Sequence, residues 1–168
     1  SIVALTAPST ISYERLQPNR WSASYNNLAD KDREAGVRIC PLPAVGGVDP
    51  AKSFNLEYRA ADAAACPYLA LGALAWAGLE GLRRKRALPA PTSGDPGAMP
   101  AEAREAAGLR RLPASLGAAL DAFENDARVL EWMGREFRDA YLMHKRSEVA
   151  LVRDLDPEEQ VRRYAETY

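Results

Sequence analysis

Arg15, Arg33, Arg38, Glu57 and Arg59, all in the first third of the chain, are residues whose types could do chemistry together. They fall on strand-like and turn-like pieces, with no oppositely charged residue at helical i to i+4 spacing to account for them. In residues 54–59, FNLEYR, Glu57 and Arg59 are two apart and project from the same face of a strand. A carboxylate beside a guanidinium on a sheet face has two readings. For an arbitrary Glu-x-Arg the favoured one is a structural salt bridge or a solvated face. The other is a carboxylate for a hard divalent cation, with an Arg fork for a carboxylate or phosphate. Spacing leaves both open. Elsewhere the candidates are weaker. His144, in the polar stretch HKRSE, reads as a solvated helix face. Cys40 and Cys66 form no C-x-x-C pair and read as small buried apolar residues of a reducing compartment. Trp76, Trp132 and Met133 sit at core-like helical spacing.

These residues need elements to hold them. Residues 36–40 (GVRIC) and 54–58 (FNLEY) alternate apolar and polar side chains at period two and are expected as strands, set among turn-formers such as Pro18, Asn19, Gly46 and Gly47. Two strands make no stable sheet, so their neighbours are expected upstream in a longer polypeptide or in a partner subunit. From Asp62 onward the pattern is helical. Pro67 stands where a first helical turn lacks a hydrogen-bond partner anyway, and that helix is expected to run to about Arg86. A Pro- and Gly-rich loop follows at 87–100, then a short helix at 101–107 stopped by Gly108. Ser115 caps a helix through Phe123, residues 127–133 continue to Gly134, and a long amphipathic helix covers 136–153 with Phe137, Tyr141, Leu142 and Val149 toward one face. Asp156-Pro157-Glu158-Glu159 has the spacing of a capping box opening a last helix.

The 168 residues suffice for one domain with a real core. With 22 basic and 23 acidic residues the net charge is -1, which gives no global field toward nucleic acid or an anionic membrane, so phosphate chemistry has to be local. The apolar stretch 63–82 could imitate a membrane span. Its Ala and Gly content, Pro67 and the closing run Arg83 to Arg86 instead suit a helix packed inside a larger protein. A cytoplasmic location is expected.

The stretches TAPSTISYERL, DREAGVRICP and FNLEYRAADAAACPYLALGALAWAGLEGL resemble, in order and at similar spacing, the C-terminal catalytic motifs of the glutamine synthetase family. The late stretch LPASLGAALDAFENDARVLEWMGREFRDAYLMHKRSE is similar to that family's late helices, so the resemblance covers nearly the whole chain. It implies an α+β fold, helix-dominated here, with a few antiparallel strands in the first third: residues 1–61 carry the site and 62–168 the helices.

The resemblance also implies an ATP-dependent carbon–nitrogen ligase that forms a γ-glutamyl amide through an acyl phosphate. Glu57 would be a ligand of one Mg2+ or Mn2+ ion. Arg15 and Arg59 would hold the carboxylates of glutamate, and Arg33 and Arg38 would face the phosphates of ATP, Arg33 in a catalytic role. Such chemistry needs metal and guanidinium charge against the transferring oxygens more than any nucleophilic side chain. Partners implied are small molecules, namely glutamate, ATP and ammonia or an amine, with no nucleic acid and no membrane. A homo-oligomer of stacked rings is implied for the parent protein, with upstream residues and a neighbouring subunit completing a site that this chain alone leaves inactive.

Some positions depart from the family's pattern. Asn55 stands where another phosphate-facing Arg is usual, Asp32 precedes Arg33 in place of Asn, and Cys66 precedes Pro67 in place of Asn. Trp21 falls where ammonia-using members carry a Glu. It cannot accept a proton but could pack against an alkyl or aromatic amine, which points toward glutamate-amine ligases, or could simply fill a subunit contact. Asn55 keeps open a non-catalytic homologue with a structural or assembly role; a free-standing helical binding module would leave Glu57 and Arg59 without a purpose.

Overall fold

Local signals start most of the helices where the spacing says they should. The computed structural model describes residues 1–42, 46–47 and 49–167. In chain order it contains α1 (Val3–Thr6), α2 (Ser12–Arg15), β1 (Leu28–Asp30), β2 (Val37–Ile39), α3 (Pro50–Ser53), β3 (Leu56–Tyr58), α4 (Pro67–Arg83), α5 (Ala101–Ala106), α6 (Leu116–Glu124), α7 (Ala127–Met133), α8 (Arg135–Val152) and α9 (Pro157–Thr167). Pro67 does occupy the first turn of α4. Ser115 Oγ accepts the Ala118 N–H at 3.1 Å, and Asp156 Oδ1 accepts the Glu159 N–H at 2.9 Å, so α6 and α9 begin on capping side chains. Gly108 takes a positive φ of 67° behind α5, and Gly134, between α7 and α8, combines a φ of 74° with a ψ of 157°, a backbone region open essentially to glycine alone. α1, α2 and α3 are single turns that the sequence pattern did not separate from the surrounding loops.

The chain divides into two compact units that interleave in sequence: residues 1–14, 61–86 and 113–168 form one, residues 15–60 and 87–112 the other. The position near residue 61 is thus one of several crossings between them.

The first unit is helical. Leu116, Leu120 and Phe123 on α6, Leu5 on α1 and Val129 on α7 are buried to within one per cent, and the Phe123 ring lies 5.6 Å from that of Tyr141 on α8. The Tyr141 hydroxyl donates to the Ala4 carbonyl at 2.7 Å, satisfying a polar tip at the edge of an apolar contact. Trp76 and Trp132 stack obliquely at 6.2 Å and are half-buried. The core position expected for α4 as a whole is not met within this chain: only Ala73 is buried, while Tyr68, Leu71 and Leu82 are exposed. Among the described residues no helix is long and apolar enough to cross a membrane.

The second unit holds the sheet, in the order β1-β2-β3. The two expected strands are present in shortened form, and a third, β1, lies in this same chain rather than in a missing segment. β2 and β3 pair antiparallel, as expected, with Arg38 opposite Glu57. β1 and β2 pair parallel, with Leu28 opposite Val37, so the sheet is mixed. Buried Asn27 closes the return between them: its Oδ1 accepts the Gly36 N–H at 3.0 Å and its Nδ2 donates to Thr92 Oγ1 at 2.9 Å. Gly36 is required there, because a Cβ would lie 2.4 Å from the Tyr25 carbonyl oxygen. The fold is therefore α+β and helix-dominated.

Candidate active site

Arg15, Trp21, Arg33, Arg38, Asn55, Glu57 and Arg59 all fall in the second unit, and the sheet brings Arg38, Glu57 and Arg59 together. Because Arg38 and Glu57 are cross-strand partners and Arg59 is two residues beyond Glu57, the three side chains meet on one face. Glu57 Oε2 lies 2.5 Å from Arg38 Nη2, and Oε1 lies 2.7 Å from Arg59 Nη1. The Arg38 and Arg59 side chains are well shielded, at 17% and 15% exposed, whereas Glu57 is 39% exposed. One carboxylate thus bridges two guanidinium groups, and the cluster keeps a net positive charge. Among the described residues Arg38 Nε, which is buried, finds no acceptor.

Arg59 spans three segments. Beyond Glu57 it donates from Nε to the Arg33 carbonyl at 2.7 Å and from Nη2 to the Trp21 carbonyl at 3.0 Å. That geometry needs the planar fork of arginine. Arg15, expected to bind substrate, is also engaged with the backbone: Nη1 donates to the Arg59 carbonyl at 3.1 Å and Nη2 to the Ala60 carbonyl at 2.9 Å, with a further contact to Ser22 Oγ. Arg33 is exposed, and its guanidinium lies 5.4 Å from the centre of the Trp21 ring. Trp21 itself is 68% exposed. Asn55 turns its side-chain amide onto the Ser53 carbonyl at 3.1 Å and adds no charge to the cluster.

Two participants were missed in the sequence. Glu34 accepts the backbone N–H groups of Asn19 and Trp21, and Ser22 meets Arg15. Neither carries a signal of its own, since both act on backbone or side chains many positions away.

A divalent metal needs several hard donors. Among the described residues no group of three or more His, Cys, Asp and Glu is placed to hold one, and Glu57 has both oxygens on arginines. The described residues by themselves do not make a metal centre. Its guanidinium cluster does suit anionic groups such as carboxylates and phosphates, which Arg binds in bidentate fashion. His144 lies on α8 in the other unit, 65% exposed and 3.8 Å from Glu148, as a solvated face would have it.

A family profile described as glutamine synthetase, catalytic domain, matches residues 1–164. Gamma-glutamylpolyamine synthetase GlnA3 of Streptomyces coelicolor is 36% identical over 156 residues, covering 93% of this chain and 33% of that protein. The glutamine synthetase of Methanocaldococcus jannaschii is 34% identical over 148 residues, covering 88% of this chain and 31% of its own length. A solved structure described as a novel glutamine synthase homolog superimposes with a TM-score of 0.79 at 39% identity, covering 99% of this chain and 35% of that one. The chain spans about a third of the length of the relatives it matches. On its sequence, its fold and the order of its motifs, this chain belongs to the glutamine synthetase family, as a stretch of the catalytic domain.

Proposed function

We propose that the longer protein containing this chain is an ATP-dependent ligase that joins the γ-carboxyl of glutamate to an amine. The observation that carries the reading is the pair Arg38 and Arg59 around Glu57, with Arg33 tied to it through the bond from Arg59 to its carbonyl, at positions that resemble the family's motifs. In the first step a γ-carboxylate oxygen of glutamate attacks the terminal phosphorus of ATP, the bond to the bridging oxygen breaks, and ADP leaves. The resulting acyl phosphate is attacked at its carbonyl carbon by the free base of the amine; the C–N bond forms, the C–O bond to phosphate breaks, and inorganic phosphate leaves with one proton lost from nitrogen. Both steps concentrate negative charge on oxygens, which fixed guanidinium groups stabilise without reorganisation.

Arg33 and Arg38 would face the phosphoryl oxygens and Arg59 and Arg15 the carboxylates of glutamate, with Arg15 also bracing the chain where it leaves β3. Glu57 would give one ligand to a Mg2+ or Mn2+ ion, whose charge also favours phosphoryl transfer when bound; the remaining donors would come from outside this chain, from upstream residues or from a neighbouring subunit of a ring-shaped oligomer. Trp21, in place of a carboxylate, favours a carbon-bearing amine over ammonia, and the similarity to a gamma-glutamylpolyamine synthetase supports including polyamines among the candidates. The reading implies a cytoplasmic enzyme acting on small molecules.

A second reading, a non-catalytic homologue with a role in assembly, is favoured by Asn55, whose amide is spent on its own turn. Phosphate release by the full-length protein with ATP, Mg2+ and glutamate, compared across ammonia and alkyl, poly- and aromatic amines, separates the two. Release that depends on one amine class supports the ligase. Silence across the panel in folded protein supports the non-catalytic homologue, and ammonia used with a better kcat/KM than every amine overturns the assignment to carbon-bearing amines.

A further inference from the structure

Asn19 and Trp21 both take left-handed backbone conformations, with φ of 61° and 53°, which residues bearing a Cβ adopt seldom and a bulky one more seldom still. A single carboxylate holds both. Glu34 Oε2 accepts the Asn19 N–H at 3.0 Å and Oε1 accepts the Trp21 N–H at 3.3 Å. Glu34 is in turn set by Asp32, whose Oδ1 accepts the Glu34 N–H at 2.9 Å. From the other side, the Trp21 carbonyl accepts from Arg59 at 3.0 Å. The Trp21 backbone is therefore gripped at both its N–H and its carbonyl, and its ring is left against the guanidinium of Arg33 at 5.4 Å. Burial does not account for the ring's position, since it is 68% exposed.

We propose that Glu34 and Trp21 are a positioning pair for Arg33: Glu34 fixes the turn, the turn presents the indole, and the indole holds the guanidinium over one face. The consequence for catalysis rests on the ligase reading. Within it, the first role of Trp21 is support of the phosphate-facing arginine, and an amine would meet only the other face of the ring. The same Arg59 that grips the Trp21 carbonyl also holds the Arg33 carbonyl, so backbone and side chain of Arg33 are set by one connected group of contacts.

The test compares Trp21→Ala, Trp21→Phe, Glu34→Ala and the Trp21→Ala/Glu34→Ala double variant in the full-length protein. Trp21→Ala and Glu34→Ala should each lower kcat at saturating amine by about tenfold or more, since loss of positioning acts on the chemical step. Phe, which keeps a ring face, should retain most of the rate, and the double variant should be no worse than the poorer single one. A Trp21→Ala effect confined to KM for the amine, or effects that multiply in the double variant, would overturn the pairing. A second readout needs no turnover: in 1H–13C spectra of the full-length protein the Arg33 δ-protons should carry an indole ring-current shift that both Trp21→Ala and Glu34→Ala remove. A shift that survives Glu34→Ala overturns the proposal. If the wild-type protein turns over nothing, the ligase reading fails, and the spectra alone decide whether the positioning pair exists.

Discussion

Replacing Arg59 with Lys isolates what the guanidinium fork does. Arg59 makes three bonds, to the carbonyls of Arg33 and Trp21 and to the carboxylate of Glu57, from a side chain that is 15% exposed. A lysine ammonium is a single point and can keep the ion pair with Glu57 at most. The two carbonyl contacts are then lost. A hydrogen bond from a charged donor is worth about 1.5–3 kcal/mol when shielded, but both carbonyls lie at exposed positions and regain water. About 1 kcal/mol each is the fitting figure, or about 2 kcal/mol in all. That corresponds to roughly a 30-fold loss of hydrogen-exchange protection if the second unit opens as one body. The amides to follow are those of Val37, which donates to Asn27 O at 2.9 Å, and of Arg59 itself, which donates to Gly36 O at 3.0 Å. Arg59→Ala should lose more, because Glu57 then keeps only Arg38. Protection in Arg59→Lys within about twofold of wild type would refute the reasoning and leave Arg59 as a solvated residue whose bonds water replaces at no cost.

In the helical unit, Phe123→Ala removes a ring with no exposed surface that packs on Tyr141; a loss of about 3–5 kcal/mol is expected in urea unfolding, and a loss under 1 kcal/mol would mean that the site collapses around the gap. Hydrogen bonding from Arg128 holds the Asp126 carboxyl well below the usual carboxylate range, and the two groups lie 2.6 Å apart. Because this carboxyl's folded value is depressed, its contribution to stability is complete above about pH 4 and is lost as pH falls below that. Asp126→Asn should therefore flatten the acid limb of the stability curve between about pH 4 and pH 2 while leaving its slope near pH 7 unchanged; an unchanged acid limb would refute the assignment.

How much was legible beforehand varies with the range over which each signal acts. The starts of α6 and α9 rest on Ser115 and Asp156, whose oxygens cap an N–H three residues on. Such contacts are encoded by residue type and spacing, and they were found. The same holds for β2 and β3, whose alternation needs only neighbouring positions. β1 was missed because it is three residues long, Leu28–Asp30, and pairs in parallel with β2 across a connection far shorter than the dozen or more residues that parallel strands usually require. A left-handed Lys31, with φ of 60°, and the buried Asn27 make that short return possible, and neither announces itself by type. The apolar run of α4 was legible as a helix, but what covers it is not decided within this chain.

The site divides along the same line. Residue types and order alone placed this chain in the glutamine synthetase family and marked Arg15, Arg33, Arg38, Glu57 and Arg59 as candidates, because the stretches that carry the resemblance are contiguous in sequence. Only the tertiary structure decided that Glu57 bridges Arg38 and Arg59, that Arg15 grips the backbone after β3, and that Glu34 holds the turn of Trp21 against Arg33. Each of those is a bond between residues 2 to 45 positions apart, and all but the pair two residues apart form only once the strands have paired and the turns between them have closed.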